Sequence, residues 1–243
     1  MTTIAPSVAT GNQLLSRLSP DDAAILAPHL EDHALAQGDI IVAAGDPFTH
    51  AWFPDTAVLS VINQLSDGSG VEIGTIGNEG FVGIGAMLNA PNSLHLTLAQ
   101  IPGKAQRIAI AQLEYAREQS DSLRYALNRY TCAFIGQISQ TAACNARHDI
   151  EQRCARWLLM SHDRVGDTDT FRLKHEYLAI MLGVRRSGVT IAAGALQERG
   201  LIRYRRGIIR IVDRAGLEER ACECYQVVRD QFLAPDGFLT PID

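Results

Sequence analysis

The stretch from Lys174 to Val212 limits the fold more strongly than any other part of the sequence, because it places two short helical segments on either side of a glycine. The first segment, 175–182, carries its large apolar residues on one side and is followed by Gly183. The second runs from about 185 to 199 and stops at Gly200, a residue type that favours helix ends. A helix, a short turn with Gly and a second helix are typical of the helix-turn-helix motif.

The residues after the second segment extend this motif. Two β-prone runs lie on either side of Arg206 and Gly207, so residues 201–212 are predicted to form a hairpin, the wing of a winged helix-turn-helix. Small residues at 192–195 allow the two helices to cross closely. A purely structural helical hairpin with a charged surface is the alternative interpretation.

The charge of this region is opposite to that of the rest of the chain. From Arg185 to Arg214 there are eight arginines and two acidic residues, a net charge of +6, while the whole chain carries −5, so the remainder carries −11. An acidic body with one basic segment is typical of nucleic-acid-binding proteins. Charge alone leaves a solvated charged face as the alternative.

Roles within the segment follow from the chemistry of DNA recognition. The first residues of a recognition helix point into the major groove, where an arginine can donate two hydrogen bonds to a guanine edge. Arg186, Ser187 and Ile191 lie opposite the inward-facing residues of the second helix, and the flanking basic residues are better placed for phosphates. The residues predicted to contact double-stranded DNA are Lys174, His175, Arg185, Arg186, Ser187, Thr190, Ile191, Arg205 and Arg206.

The first half of the chain has a different pattern. Residues 11–30 have a helical period, and residues 34–110 contain short β-prone runs separated by turns rich in Gly, Pro and Asp. Many short strands with such turns predict an antiparallel barrel or jelly roll.

A helical period returns after Arg107. Residues 111–143 contain no proline and one glycine, which predicts one long helix, about 45 Å in length. Its apolar stripe needs a partner surface, and a second copy in a parallel two-fold dimer would supply one. Packing of the stripe on the barrel is the alternative. The residues predicted for dimerisation are Leu123, Leu127, Tyr130, Phe134 and Ile138. A further helix is predicted at about 149–163, and the tail from Leu233 is predicted to be irregular.

Several classes of protein are disfavoured. No apolar run approaches the roughly 18 residues of a membrane span, and residues 1–10 do not resemble a secretory signal, so we expect a cytoplasmic location and no membrane partner. Neither a metal triad nor a nucleophile–base pair is found, so no catalytic residue and no enzyme are predicted. The cysteine number is odd and Cys222-Glu-Cys224 is not a zinc spacing, so no metal site is expected and all five are predicted to be ordinary thiols: Cys132, Cys144, Cys154, Cys222 and Cys224.

The order of these parts resembles the Crp/Fnr superfamily, that of the cyclic-AMP receptor protein and the fumarate–nitrate regulators. The resemblance covers about residues 14–215 and is carried by 153–159 (RCARWLL), 177–186 (YLAIMLGVRR) and 196–202 (LQERGLI). It implies an α+β fold with an N-terminal cyclic-nucleotide-binding-type β-roll (a jelly roll), a long dimerisation helix and a C-terminal winged helix-turn-helix. It also implies a homodimer on palindromic promoter sites, with RNA polymerase as a candidate partner. The corresponding divisions are a sensor domain at 11–110, the dimerisation helix at 111–145, the DNA-binding domain at 146–215 and an extension at 216–243.

Departures from the family pattern bear on the effector. Relatives that bind cyclic nucleotides hold the phosphate with an Arg-Ser or Arg-Thr pair, but here residues 91–95 read Pro-Asn-Ser-Leu-His. A buried phosphate without a cation is costly, so cyclic AMP is not expected. An iron–sulfur cluster is not expected either, because the N-terminal cysteines of the members that carry one are absent. The candidate effector contacts, which could equally form a tight turn between strands, are Gly77, Asn78, Glu79, Gly80 and Phe81.

Two functions remain open at this point. The first is a sequence-specific DNA-binding transcription regulator whose sensor barrel responds to an unknown small-molecule effector. The second is a DNA-binding regulator without such an effector, controlled by its abundance or by a protein partner. The DNA target sequence of family members cannot be assigned to this chain, because Ser187 stands where many of them have glutamate.

Overall fold

The computed structural model describes residues 10–166 and 168–233, so the predicted irregular tail beyond Leu233 lies outside the described residues. The chain begins with two short helices, α1 (Gln13–Ser16) and α2 (Pro20–Leu26), and a 3₁₀ turn at Ala27–His29. The hydroxyl of Ser19 accepts a hydrogen bond from the Asp22 backbone N–H at 3.1 Å and so caps α2.

The predicted jelly roll is confirmed as two antiparallel sheets that enclose an apolar core. One sheet has the order β1-β7-β3 and the other the order β2-β6-β4-β5. A short helix, α3 (Ile84–Met87), lies between β5 and β6. The strands are β1 (Glu31–Leu35), β2 (Ile40–Val42), β3 (His50–Pro54), β4 (Val58–Gln64), β5 (Gly70–Ile76), β6 (Leu96–Ile101) and β7 (Gly103–Ala109).

The predicted long helix after the roll is confirmed, but it does not cover all of 111–143, because the helical stretch is divided in two. Helix α4 (Ile110–Gln119) is followed by α5 (Asp121–Arg147), and Ser120 between them has an extended backbone. Its hydroxyl accepts a hydrogen bond from the Leu123 backbone N–H at 3.0 Å. Serine competes with helical hydrogen bonding in this way, which explains why a helix starts anew at this residue.

The apolar stripe predicted for dimerisation packs inside the protomer, so that prediction requires correction. Leu123, Leu127, Tyr130 and Phe134 are at most 7% exposed, and Ile138 is half-buried. The Tyr130 ring lies 5.3 Å from the Phe81 ring of the roll. The stripe therefore packs on the barrel, as in the alternative interpretation. This face of α5 covers the aromatic side chains of the roll.

The second half of the chain forms the predicted winged helix-turn-helix. A three-stranded sheet with the order β8-β10-β9 carries the wing. Two helices follow it and pack on α5 and α6; the sequence did not predict them. The elements are α6 (Ile150–His162), β8 (Thr170–Arg172), α7 (His175–Leu182), α8 (Arg186–Glu198), β9 (Ile202–Arg205), β10 (Ile208–Ile211), α9 (Arg214–Arg220) and α10 (Cys224–Leu233).

Buried polar contacts join the roll to the helix-turn-helix part. Glu72 on β5 accepts hydrogen bonds from Trp157 Nε1 on α6 at 3.1 Å, from Thr75 Oγ1 at 2.7 Å and from the Ser60 hydroxyl. Burial raises the pKa of Glu72, and these three donors oppose the rise. Helix α7 also packs directly on β5, so the two halves share a continuous core.

Candidate nucleic-acid interface

Helices α7 and α8 meet in the geometry of a helix-turn-helix. They are bent by 99° relative to each other, within the range of about 90–120° for this motif. Gly183 ends α7 in the left-handed conformation with φ of +58°, which a larger residue adopts only with strain. Among the described residues, no single helix is long and apolar enough to cross a membrane; α7 and α8 meet that test of length and composition only as a bent pair.

Helix α8 presents a polar face with one large apolar side chain to the outside. Val189, Ala192 and Leu196 on its inner side are at most 3% exposed. On the outer side, Ile191 is 73% exposed, and the other exposed residues there include Arg186, Ser187 and Thr190. An exposed aliphatic group beside hydrogen-bonding side chains matches the major groove, where the thymine methyl group offers an apolar contact.

A cleft of about 520 Å³ lies between the start of α7, the start of α8 and the wing. The His175 ring lies 4.6 Å from the Tyr204 ring, and the Tyr204 hydroxyl donates to the Leu173 carbonyl at 2.8 Å. Burial, and then the Arg186 charge, lower the pKa of His175. The residues lining the cleft are Lys174, His175, Glu176, Arg186, Tyr204, Arg206 and Gly207.

Three of these lining residues, Glu176, Tyr204 and Gly207, were not among the predicted DNA contacts. Tyr204 sits in an ordinary β-prone run, and nothing in its neighbours along the chain marks it as part of a site. Pairing of β9 with β10 and β10 with β8 is what brings it beside α7.

The wing turn projects two arginines away from the domain. Arg206 and Gly207 both have positive φ, +51° and +75°, the combination that a two-residue type I′ hairpin turn requires. Arg205 pairs with Ile208 across the turn, so Arg205 and Arg206 stand exposed at its tip.

Ion pairing divides the basic residues of this region into two groups. Arg199, Arg214 and Arg220 pair with carboxylates such as Glu151 and Asp163, within the body of the domain. Within residues 10–166 and 168–233, no carboxylate lies within 4 Å of the basic groups of Arg185, Arg186, Arg205 and Arg206. Among the described residues, the two arginines that line the cleft, Arg186 and Arg206, therefore keep their positive charge uncompensated by an ion pair.

The structure brings the nine predicted DNA contacts onto one surface. Four of them line the cleft, and Ser187, Thr190 and Ile191 continue it along α8. Arg185, at the start of α8, and Arg205, on the wing, are exposed on either side. Contact with DNA remains a prediction for each of them.

The loop predicted to contact an effector is closely packed instead, so the cradle interpretation requires correction. A Cβ atom on Gly80 would lie 2.0 Å from the Tyr130 ring, and one on Gly77 would lie 2.5 Å from Arg164 Cγ. Glu79 Oε1 forms a buried ion pair with Arg164 Nη2 of the helix-turn-helix part at 2.8 Å. The loop acts as a tight turn that holds the two halves together.

A separate apolar cavity of about 200 Å³ lies between the roll and α5. Phe81, from the predicted set, lines it, together with residues such as Phe48, Phe134 and Ile138. No lysine or arginine is among its lining residues, and Nδ1 of His95 is buried there without a hydrogen-bond partner in the described part of the chain. The cavity therefore fits an uncharged apolar group with one polar atom better than a phosphate.

Comparison with known proteins finds a matching family model for the helix-turn-helix part and similar solved structures for most of the chain. Residues 152–220 match the family model of the Crp-like helix-turn-helix domain. A CRP-family transcriptional regulator from Thermus thermophilus is similar in structure, with a TM-score of 0.65, 18% identity and coverage of 78% of this chain and 96% of that one. FixK2 from Bradyrhizobium japonicum has a TM-score of 0.64, 16% identity and coverage of 79% and 98%. A search of curated proteins finds no match by sequence.

The chain thus carries a Crp-like helix-turn-helix domain and has the α+β fold of Crp/Fnr transcription regulators. These findings support the predicted fold, in which an N-terminal roll of the cyclic-nucleotide-binding type precedes a Crp-like helix-turn-helix domain.

Proposed function

We propose that this protein regulates transcription as a homodimer that binds palindromic promoter DNA through α8 and the wing. The observation that carries the proposal is the group of unpaired arginines around the cleft, beside the exposed outer face of α8. Arginine at the start of a recognition helix reads bases, and the surrounding cations bind phosphates. The similar structure from Thermus thermophilus is that of a transcriptional regulator, and we assign no enzymatic activity. RNA polymerase and a cytoplasmic location remain predictions.

Selection of bound duplexes from a random DNA library tests this proposal. We expect the purified full chain to enrich a sequence with two-fold symmetry whose half-sites lie about 34–36 Å apart, one helical turn, or a multiple of that distance. Enrichment of single, asymmetric sites would contradict the dimeric arrangement, and no enrichment would contradict sequence-specific binding.

The outer face of α5 is better suited to contact a second copy of the chain than the buried stripe is. Exposed or half-exposed residues recur there at alternating intervals of three and four, the spacing of a parallel coiled-coil seam. Tyr125 is 46% exposed and Ile135 is 54% exposed. The seam residues are Tyr125, Asn128, Cys132, Ile135, Ser139 and Ala142.

Crosslinking through Cys132 provides a direct test of this seam. Identical residues meet in a parallel two-fold dimer, and Cys132 is exposed while the other four cysteines are buried. We expect mild oxidation to give a covalent dimer on a non-reducing gel, and Cys132→Ser to remove it.

Light scattering should show that Ile135→Asp shifts the dimer to monomer, whereas Leu65→Asp, at an exposed site in the roll, leaves the mass unchanged. A monomeric wild-type protein would contradict the seam.

We place the effector site in the apolar cavity between the roll and α5. An occupant would contact Phe134 and Ile138, which lie on the same helix that leads into the helix-turn-helix part. Binding there would thus change the position of α5 relative to the roll. The alternative function, a regulator without a small-molecule effector, requires that the cavity stay empty.

Thermal-shift measurements distinguish these two functions. We expect a small neutral apolar compound to raise the melting temperature, since a ligand at 100 times its Kd adds about 2.7 kcal/mol, or about 5–10 °C for a chain of this size. Cyclic AMP should have no effect, because the cavity offers no cation for its phosphate. Ile138→Trp, which fills the cavity, should abolish the shift. Stabilisation by cyclic AMP would contradict this site, and no shift with any compound would favour the alternative function.

A further inference from the structure

Four side chains with metal-binding groups meet where α5 ends and the C-terminal helices begin. Cys144 and His148 are four residues apart at the end of α5, where such residues share one face of a helix. Cys222 lies in the link between α9 and α10, and Cys224 is the first residue of α10. The three sulfur atoms and one His148 ring nitrogen all lie within 4.8 Å of one another.

Two of the distances between these atoms match those of ligands that share one ion. Cys144 Sγ lies 3.5 Å from Cys222 Sγ, and Cys224 Sγ lies 3.5 Å from His148 Nδ1. Tetrahedral zinc, with bonds of about 2.3 Å to sulfur and about 2.0–2.1 Å to nitrogen, separates its ligand atoms by about 3.5–3.8 Å. A disulfide would instead require about 2.05 Å between the sulfur atoms. The cluster is therefore spaced for coordination of a metal ion.

The surroundings of the cluster also suit a metal ion. Glu223 Oε1 lies 3.2 Å from Nε2 of His148, which leaves Nδ1 facing the thiols. A carboxylate on the outer nitrogen is the usual means of orienting a histidine ligand of zinc. Gln140 Nε2 donates to Cys224 Sγ at 3.0 Å, a hydrogen bond that offsets part of the negative charge of a thiolate.

Burial distinguishes a structural from a catalytic site. Cys144, Cys222 and Cys224 are at most 4% exposed, and His148 is half-buried. Four protein ligands complete a tetrahedron and leave no open position for water or substrate, which is the pattern of structural zinc sites.

We propose that Cys144, His148, Cys222 and Cys224 bind one zinc ion that fastens the C-terminal helices to the end of α5. Binding converts the thiols to thiolates and releases their protons to solvent. His148 is followed directly by Asp149, the N-cap of α6, so the ion would fix the joint between the sensor and DNA-binding parts. This proposal replaces the expectation of ordinary thiols, which rested on spacing along the chain; the ligands come from segments 78 residues apart.

Metal analysis of the full chain, purified under reducing conditions, tests the site. We expect one zinc per chain in the wild type and in Cys132→Ser, the matched control at an exposed cysteine outside the cluster. Cys144→Ser and Cys222→Ser should lose the zinc. Glu223→Gln, which keeps all four ligands, should weaken zinc affinity about 10- to 100-fold. Wild-type protein without stoichiometric zinc, or zinc that persists in the Cys144→Ser/Cys222→Ser double variant, would overturn the proposal.

Cobalt substitution supplies a second readout that does not depend on folding of the variants. We expect one equivalent of Co²⁺, added to the metal-free wild-type chain, to produce thiolate-to-cobalt charge-transfer absorption and the visible bands of a tetrahedral ion. Zinc should then displace cobalt and abolish both. Absence of the thiolate bands, or a Cys144–Cys222 disulfide found by mass spectrometry in the reduced preparation, would overturn the site. Neither readout involves DNA, so failure here leaves the proposed function untouched.

Discussion

Arg186→Ala should strongly reduce the preference of the protein for its selected palindrome while leaving weak binding to any duplex. Arg186 is the first residue of α8, is exposed and has no carboxylate partner within the described residues, so its guanidinium is free to meet a base. A good bidentate contact to guanine contributes about 1–3 kcal/mol of discrimination. A symmetric dimer has two copies, so we expect a loss of about 2–6 kcal/mol, or about 30-fold to 10⁴-fold in Kd.

Matched arginine variants make this prediction specific. Arg199 lies at the other end of α8 and pairs with Glu151, so Arg199→Ala should leave DNA binding unchanged. Arg205 is on the exposed wing, and Arg205→Ala should weaken binding to all duplexes by a similar factor, as loss of a phosphate contact does. Fluorescence anisotropy with the selected and a scrambled duplex measures all three. Equal effects of Arg186→Ala and Arg205→Ala on the two duplexes would contradict base reading by Arg186.

The second large effect is expected at the buried ion pair between Glu79 and Arg164. Their side chains are 4% and 7% exposed, and Arg164 Nη1 also donates to the Met160 carbonyl at 2.7 Å. Removing one member of a buried pair leaves an uncompensated charge and costs about 3–5 kcal/mol. We expect Arg164→Met to lower the melting temperature by about 6–20 °C, with chemical denaturation as the equilibrium measurement.

A double variant shows whether the loss of stability in Arg164→Met comes from the uncompensated charge of Glu79. Glu79 Oε2 has no hydrogen-bond partner in the described part of the chain, so the pair is not fully satisfied. Glu79→Gln combined with Arg164→Met should therefore be more stable than Arg164→Met alone. The exposed pair of Arg124 and Asp121 is the control, and Arg124→Met should cost less than about 1 kcal/mol. Equal stability of Arg164→Met and Arg124→Met would show that the buried pair does not hold the two halves together.

Features with a local chemical cause were predictable from the sequence. Gly183 and Gly207 adopt positive φ because glycine tolerates it, and such residues mark the helix-turn-helix and the wing directly. The β-roll followed from short apolar runs between turn residues. The exposed face of α8 followed from helical periodicity, because its inner residues are apolar and small.

Features that depend on packing between distant segments were not predictable. The stripe of α5 has the period of a dimer helix, but period alone does not distinguish the aromatic core around Phe81 from a second copy of the chain. Glycines at 77 and 80 suggested an open cradle, whereas Tyr130 and Arg164 fill that space. Cys144 and Cys222 come together only because α9 and α10 fold back onto α5 and α6.

The ratio of the dissociation constants for the selected palindrome and a scrambled duplex, measured at one salt concentration, tests the central claim most directly. If α8 reads base edges, the wild-type chain should bind the palindrome at least about 10³-fold more tightly, as specific DNA-binding proteins do. A ratio close to one, with affinity for both duplexes falling equally as salt is raised, would show that the arginines around the cleft bind only phosphates, and the account would be wrong.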